Sequence, residues 1–237
     1  MGIIMFNGIS SEDYGIQVEH PPEYHIPGRD YEVVHIPGRN GDLIIDNNSY
    51  QNVTRAYDIA IGDTNKDFTT MANTISEWLN SASGYARLED SYETEYYRMA
   101  IYQDEVSIEN IMQHAGRTTI EFNCKPQRFL KSGEDKLTLT KATVLRNPTG
   151  FSSFPEISVY GSGSGVLGIE DYTISISNIN GKIIIDSDIQ DIYNGSVNRN
   201  GDVTLSNGFP MLIPGECNFH WSGGISYVEV VPRWWTL

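Results

Sequence analysis

Apolar and polar residues alternate in short runs along most of this chain, and turn-forming residues separate the runs. Many of the runs are rich in β-branched and aromatic side chains, which is typical of strands. In the first half of the chain such runs predict strands near 29–36, 54–62, 85–88, 95–102, 106–111 and 118–125. Between the first two stands Asn40-Gly41, a strong hairpin signal because both residues tolerate positive φ.

One segment has the period of a helix. In KDFTTMANTISEWLNSASG the apolar residues recur at three- and four-residue spacing, which places them on one face: Phe68, Met71, Ile75, Trp78 and Leu79. The pattern predicts a helix near 66–81 that starts after an N-cap at Asp63 or Thr64 and ends before Gly84. Such an apolar face is typical of a helix packed on a core.

The second half has no helical period. After the polar segment 125–136 (KPQRFLKSGEDK), alternating runs follow one another with turn signals such as Asn180-Gly181 between them, which predicts an antiparallel β-sandwich. The glycines of GSGSGVLG, at 161–168, are expected to form a flexible hairpin loop. We therefore predict a mainly β protein, with a β-rich, helix-containing domain at 1–135 and a sandwich domain at 136–237.

The charge is strongly negative and unevenly distributed. The chain of 237 residues has a net charge of −15, which argues against a sequence-independent nucleic-acid binder because phosphate neutralisation requires clustered Lys and Arg. Residues 1–135 contain 22 acidic and 10 basic side chains, against 9 and 6 in the remainder. The asymmetry indicates two domains with different roles.

The two cysteines, Cys124 and Cys217, lie far apart in alternating runs, which favours reduced, half-buried thiols over a disulfide. No Cys/His cluster has the spacing of a zinc site. The first residues do not have the pattern of a signal peptide, and no apolar run approaches the ~20 residues of a membrane span. We expect a soluble protein that is made in the cytoplasm and does not insert into membranes.

No catalytic constellation is evident, and neither an enzyme nor a cofactor is predicted. The PGRNG segment is a hairpin corner in preference to a phosphate cradle, because β-branched residues follow it where a phosphate loop requires a helix. The acidic run 186–191 lacks the glycine and glutamate of a calcium loop. The aromatic pair Trp234-Trp235 is suited either to stack on sugars or to close the sandwich, and the second interpretation is favoured.

Several blocks of the sequence, taken together and in order from Phe6 to Trp235, resemble the distal tail protein family of long, non-contractile-tailed bacteriophages of Gram-positive hosts. The blocks are MFNGISSEDYGI, the segment containing IPGRNG, EFNCKPQRFLKSGE, NPTGFSSFPEISVYGSGSGVLGI, PGECNFHWSGG and VVPRWW. The resemblance implies a ring-forming first domain and a galectin-like second domain.

The resemblance also implies a place and partners. A member of this family is expected at the distal end of the virion tail, as a homohexameric ring around a channel, with rings in some cases stacked back to back. The ring would join the tail tube protein to the tail-tip or tail-associated lysin protein, and contact the tape measure and receptor-binding proteins. The genome would pass through the channel without specific binding, and an acidic wall would repel its phosphates.

On this interpretation the hairpin at 35–46 helps to build the ring. Arg29, Arg39, Asn40 and Gly41 are then candidate inter-subunit or turn residues. The alternative function is a carbohydrate-binding module of the tail that recognises a host cell-wall glycan, with Trp221, Trp234 and Trp235 as the sugar-stacking candidates. Fold alone does not decide between the two.

Overall fold

A computed structural model of the protein describes residues 1–61, 68–103 and 117–237, without the side chains of residues 68, 69, 71 and 72. The strand predicted at 106–111 and the predicted helix cap at Asp63 or Thr64 lie outside the described residues. The chain divides into two compact units, Met1–Arg128 together with Leu237, and Phe129–Thr236. The sequence placed this division after residue 135.

The described residues of the first unit include one α-helix, α1 (Phe68–Leu79), where the sequence predicts a helix near 66–81. The strands that begin in this unit are β1 (Ile4–Phe6), β2 (Ile9–Ser10), β3 (Ile16–Val18), β4 (Arg29–Val34), β5 (Leu43–Tyr50), β6 (Val53–Ile61), β7 (Ala86–Asp90), β8 (Tyr96–Tyr102) and β9 (Arg117–Leu130).

Six of these strands form a barrel in the order β1-β7-β8-β9-β6-β3. A backbone bridge between Gly2 and Val18 joins the two ends of this order and closes it, and β2 pairs with β1. Closure leaves few strand edges open for pairing. The pair β4–β5 is separate from the barrel and forms a two-stranded sheet of its own.

The barrel core follows from the alternation along its strands. In β6 every second residue is buried, and β9 buries Ile120, Phe122 and Cys124 in the same apolar core. The helix α1 adds Trp78 to this core, together with Ile75 and Leu79. The apolar face predicted for the helix is therefore a packing face at these three positions.

The second unit is an antiparallel sheet of eight strands in the order β10-β17-β12-β13-β14-β15, with β11 on β17 and β16 on β13. The strands are β10 (Leu137–Leu139), β11 (Thr143–Asn147), β12 (Glu156–Ile169), β13 (Tyr172–Asp186), β14 (Asp191–Asn194), β15 (Val197–Asn198), β16 (Val203–Leu205) and β17 (Gly215–Val231). A short strand, β18 (Trp235–Thr236), follows.

Three strands of this sheet, β12, β13 and β17, are much longer than predicted. The turn expected at Asn180-Gly181 lies inside β13, which continues through it. Both halves of β12 contribute to one core, Ile157 from the first half and Leu167 from the second. The sheet therefore folds back on itself into two layers, and the mainly β fold with one packed helix that the sequence predicts is confirmed.

The glycine-rich segment 161–168 is not the flexible hairpin loop that the sequence predicts, because it lies inside β12 and pairs with both β13 and β17. Gly163 and Gly223 have φ values of 77° and 73°, which only glycine adopts readily. A Cβ on Gly224 would lie 1.8 Å from the Ser162 carbonyl oxygen. Glycine here permits irregular pairing and close approach of two strands.

Both cysteines are free thiols in the cores of their units, fully buried where the sequence indicated half-buried side chains. Among the described residues, none of the helices has the length and apolar character that crossing a membrane would require.

Candidate assembly surface

The sheet β4–β5, called the ribbon below, is the candidate assembly surface of the first unit because its apolar side chains are exposed. Its register places Val33 opposite Ile44 and Val34 opposite Leu43. Directly opposed residues in an antiparallel pair point to the same face. One face of the ribbon therefore carries Tyr31, Val33 and Ile44, and the other carries Val34, Leu43 and Ile45.

Neither face of the ribbon is covered within the described chain. Tyr31, Val33 and Ile44 are 51%, 51% and 55% exposed, and Leu43 and Ile45 are also exposed. An isolated two-stranded hairpin is at best marginally stable in water, and burying one such side chain fully contributes about 1.5–3 kcal/mol. The ribbon thus has apolar area on both faces that a second surface would cover.

Polar contacts along the ribbon fix its register. Arg29 donates a hydrogen bond to the Asp46 carboxylate at 3.0 Å, and Ser49 donates one to Asp30 at 2.9 Å. The His35 Nδ1 lies 3.0 Å from an Asp42 carboxylate oxygen near the tip. Arg29, a candidate inter-subunit residue, is therefore already paired inside its own ribbon, although its side chain is more than half exposed.

The tip of the ribbon contains the other candidates, Arg39, Asn40 and Gly41, all exposed. The Arg39 amide donates to the Ile36 carbonyl at 3.2 Å, and Gly41 has a φ of 79°. That bond closes a turn around Pro37-Gly38, where Gly38 has a φ of 81°, whereas Asn40 does not have the positive φ that a two-residue Asn-Gly hairpin turn requires. The turn predicted at Asn40-Gly41 is therefore wrong, and residues 35–42 form a longer connection between β4 and β5. The structure brings all four candidates onto one element, with Arg29 near its base and the other three at its tip.

Where the ribbon joins the barrel, a cluster of opposite charges lies on β6, at the end of β7 and in the segment that follows β7. The Arg55 guanidinium donates to Asp90 at 3.1 Å and to Glu93 at 2.9 Å, and Tyr57 donates to Asp90 at 2.8 Å. Burial disfavours the charged carboxylate of Asp90, but the hydrogen bond from Tyr57 and the charge of Arg55 outweigh it and lower its pKa. Burial raises the pKa of Tyr57, so this phenol remains a neutral donor.

The three tryptophans proposed for sugar stacking do not form one platform in the second unit. Trp234 is 4% exposed and belongs to the core. Trp235 stacks on Phe151 at 4.6 Å and donates to the Ser152 carbonyl at 3.0 Å, whereas Trp221 is partly buried and packs against the core. Trp234 therefore offers no open ring face to a sugar, and the part it plays is to close the folded sheet.

A groove of about 420 Å³ on the second unit is lined by hydroxyl side chains, among them Ser175, Thr204 and Ser222. None of the described residues that line it is aromatic, and its one carboxylate, that of Asp202, is paired with Arg199. The described part of the chain also contains no group of His, Cys, Asp or Glu side chains arranged to hold a metal ion. Neither feature assembles a recognisable chemical site.

The sequence prediction missed the apolar residues of the ribbon as a functional set. Leu43, Ile44 and Ile45 are consecutive, so they break the alternation that a strand with one buried face shows. That break was the available signal, because consecutive aliphatic residues place apolar side chains on both faces. Whether the chain itself covers those faces is visible only in the folded structure.

Comparisons with known proteins find similarity to phage tail proteins. Residues 9–124 match the family model described as the phage tail protein RIFT-related domain. No curated protein matches the sequence significantly. Among solved structures, the SPP1 Dit (gp 19.1) protein, described as a paradigm of the hub adsorption apparatus in phages that infect Gram-positive bacteria, is similar with a TM-score of 0.77 at 14% identity over 100% of both chains.

These two matches bear out the resemblance seen in the sequence. The family match covers the ribbon, α1 and the barrel strands other than β1 and the end of β9, and the structural match extends through the second unit. Residues 9–124 are thus similar to the phage tail protein RIFT-related domain, and the chain as a whole has the fold of the SPP1 Dit protein.

Proposed function

We propose that this protein is the hub of the distal end of a phage tail, in which six copies form a ring around a central channel. The observation that carries the proposal is the ribbon β4–β5, whose apolar residues are uncovered on both faces. The similarity to a hub protein over the whole chain supports it. The proposed role is structural and includes no enzymatic step.

A neighbouring copy of the chain is the partner that fits the ribbon. A ring requires a head-to-tail interface, in which a projecting element of each copy meets a different surface of the next. The ribbon is suited to this because it is separate from the barrel and presents both apolar faces and two strand edges. Its edges also permit the next copy to pair with it by strand addition.

In the tail, the ring would connect the tail tube protein to the tail-tip or tail-associated lysin protein. The second unit would anchor proteins of host adsorption, and the tape measure and the genome would pass along the axis. The net charge of −15 is compatible with that passage because an acidic wall repels phosphates. A continuous ring of Lys or Arg along the channel wall would contradict this part of the proposal.

The test replaces one apolar residue of the ribbon and a matched residue elsewhere. Ile44→Ser removes an aliphatic side chain that is 55% exposed, and the control Ile189→Ser removes one that is 62% exposed in a turn of the second unit. Neither change should alter the melting temperature, because neither side chain is buried in the single chain. Size-exclusion chromatography with light scattering, on the chain alone and with the tail tube protein, measures the assembled mass.

We expect the parent and Ile189→Ser to assemble at the same concentration and Ile44→Ser to remain dissociated. Because about half of the Ile44 side chain would become buried on assembly, its loss should cost about 0.8–1.5 kcal/mol per interface. This cost recurs at every interface of the ring. Equal assembly of Ile44→Ser and Ile189→Ser would show that the ribbon does not form the contact between copies.

A further inference from the structure

The segment that leads from the barrel into the ribbon, residues 19–28, has no regular secondary structure, and most of it is exposed. By contrast, the returning strand β5 joins β6 through only two residues, Gln51 and Asn52. At the base of the ribbon the Gln51 amide donates to the Gly28 carbonyl at 2.9 Å. Residues 19–28 are the longer of the two connections and are called the outgoing segment below. The direction of the ribbon therefore depends on the contacts that hold this segment.

Arg55 makes the first contact that fixes the outgoing segment to the barrel. Its side chain lies in β6 and is buried, and its Nη1 donates to the backbone carbonyl of Glu23 at 3.2 Å. Its Nη2 is held by Asp90 and Glu93. A guanidinium has a rigid fork of donors, so the two carboxylates fix the direction in which it presents Nη1 to the outgoing segment.

Arg128 makes the second such contact. Its guanidinium lies 4.7 Å from the centre of the Tyr24 ring, within the range of a cation–π contact. It donates to the Leu237 backbone oxygen at 2.9 Å, and the Tyr24 hydroxyl donates to that same oxygen at 3.1 Å. Tyr24 is thus clamped through its ring and its hydroxyl.

The Glu93 carboxylate links the two arginines, Arg55 and Arg128. Glu93 accepts from Arg128 at 2.8 Å through one oxygen and from Arg55 at 2.9 Å through the other, while Arg98 lies 3.4 Å from the second oxygen. Charge-assisted bonds of this kind are strong and directional. Tyr24, Arg55, Glu93 and Arg128 are called the root anchor below.

We propose that the root anchor fixes the direction in which the ribbon leaves the barrel, and so prepares it for the neighbouring copy. The inference rests on the proposed ring, and it adds positioning residues that need not touch the neighbour. A pre-aligned ribbon loses less conformational freedom on assembly, which tightens association without any new contact. A ribbon whose outgoing segment is released would pivot about Gln51 and Asn52.

A positioning role is separable from a role in stability because the anchor has one member outside the barrel. Tyr24 is nearly half exposed and is not part of the barrel core. Tyr24→Leu removes both the ring under Arg128 and the hydroxyl bond, and leaves the buried charges in place. Its barrel should melt at the temperature of the parent.

The experiment attaches one spin label at Asn40→Cys on the tip of the ribbon and one at Glu121→Cys on β9. The electron–electron distance between the two labels then measures the direction of the ribbon. Both native cysteines are buried, and a background with both replaced by Ala controls for their labelling. Labelled chains are diluted into unlabelled chains so that only distances within one chain are recorded. The variants are Tyr24→Leu and Arg128→Gln, and the matched control is Arg87→Gln, which removes a barrel arginine that pairs with Glu89 and stacks on Tyr97.

We expect one narrow distance distribution in the parent and in Arg87→Gln, and a clearly broader one in Tyr24→Leu and Arg128→Gln. In unlabelled protein the concentration of half-assembly should rise about tenfold in Tyr24→Leu, which corresponds to ~1.4 kcal/mol. A narrow distance distribution in Tyr24→Leu would show that the root anchor does not fix the direction of the ribbon. A broad distribution with unchanged assembly would overturn its link to ring closure.

The experiments distinguish a failure of the proposed ring from a failure of the proposed root anchor. A parent protein that never assembles, alone or with the tail tube protein, refutes the ring and with it the consequence for assembly. The spin distances come from single chains, so they still decide whether the anchor holds the ribbon. Should Arg128→Gln lose the fold, Tyr24→Leu decides the question, since its side chain lies outside the core.

Discussion

Replacing Asp186 by Asn is the most informative stability test of the second unit. Arg233 donates two hydrogen bonds to the Asp186 carboxylate, at 2.6 and 2.9 Å, and the Asp188 amide donates a third at 3.0 Å. Burial disfavours the charged form of Asp186, but Arg233 outweighs it through its hydrogen bonds and charge and lowers the pKa of Asp186. Asn keeps the size of the side chain and removes the charge.

The cost follows from burial of the pair. Removing one partner of a fully buried ion pair destabilises by about 3–5 kcal/mol because the remaining charge is uncompensated. The Asp186 side chain is 6% exposed but that of Arg233 is 29% exposed, and Glu156 lies 3.5 Å from Arg233, so water and this second carboxylate recover part of the loss. We expect Asp186→Asn to lower the free energy of unfolding by about 2–3 kcal/mol at neutral pH.

The sign of the pH dependence provides a second check. Because the folded pKa of Asp186 lies below its unfolded value, the pair stabilises the protein above the unfolded pKa, about 3.9. This contribution is lost as the pH falls through the folded pKa. The difference between parent and variant should therefore be largest at neutral pH and shrink below about pH 4.

Urea unfolding followed by tryptophan fluorescence measures this difference in the full chain. Three of the four tryptophans, Trp221, Trp234 and Trp235, lie in the second unit, so the signal reports mainly on that unit. Asp188→Asn is the matched control, because it makes the same chemical change at an exposed position two residues away. Equal unfolding midpoints for the two variants at neutral pH would refute the argument.

Two further predictions concern the glycines and the thiols. Gly224→Ala places a Cβ 1.8 Å from a backbone oxygen of Ser162 and should lower the free energy of unfolding in urea by about 1–3 kcal/mol. Gly150→Ala, at a site with open space, should leave that free energy unchanged, and the reverse order would contradict the close packing of Gly224 against Ser162. Burial raises the pKa of Cys124 to about 12 and also raises the pKa of Cys217, so a thiol reagent at pH 8 should label neither until urea is added. Fast labelling of either thiol in native buffer would show that the core around that cysteine opens.

The sequence predicted those elements whose signals are local. Alternation and turn residues indicate the strands because each strand has one buried face, and a three- and four-residue period indicates α1 for the same reason. Asn40-Gly41 correctly indicated that the chain reverses between β4 and β5, but the turn itself lies at Pro37-Gly38 within the longer connection 35–42. These local signals were sufficient for the fold class.

The sequence could not show what depends on distant partners. Gly224 and Ser162 are far apart along the chain, so their close approach, which converts a predicted loop into continuous strand, has no local signature. Tyr24, Arg55 and Arg128 likewise meet only because the barrel brings β6, β9 and the outgoing segment together. The exposure of Ile44 is equally a property of the folded chain.

The measurement that tests the central claim most directly is the solution mass of the purified protein, together with negative-stain electron microscopy of the same sample. The account predicts six-fold rings with an open centre and a mass of six chains of 26.6 kDa, about 160 kDa, with ring closure dependent on Ile44. A protein that remains a single chain at high concentration, and that still does so after addition of the tail tube and tail-tip proteins, would contradict the account.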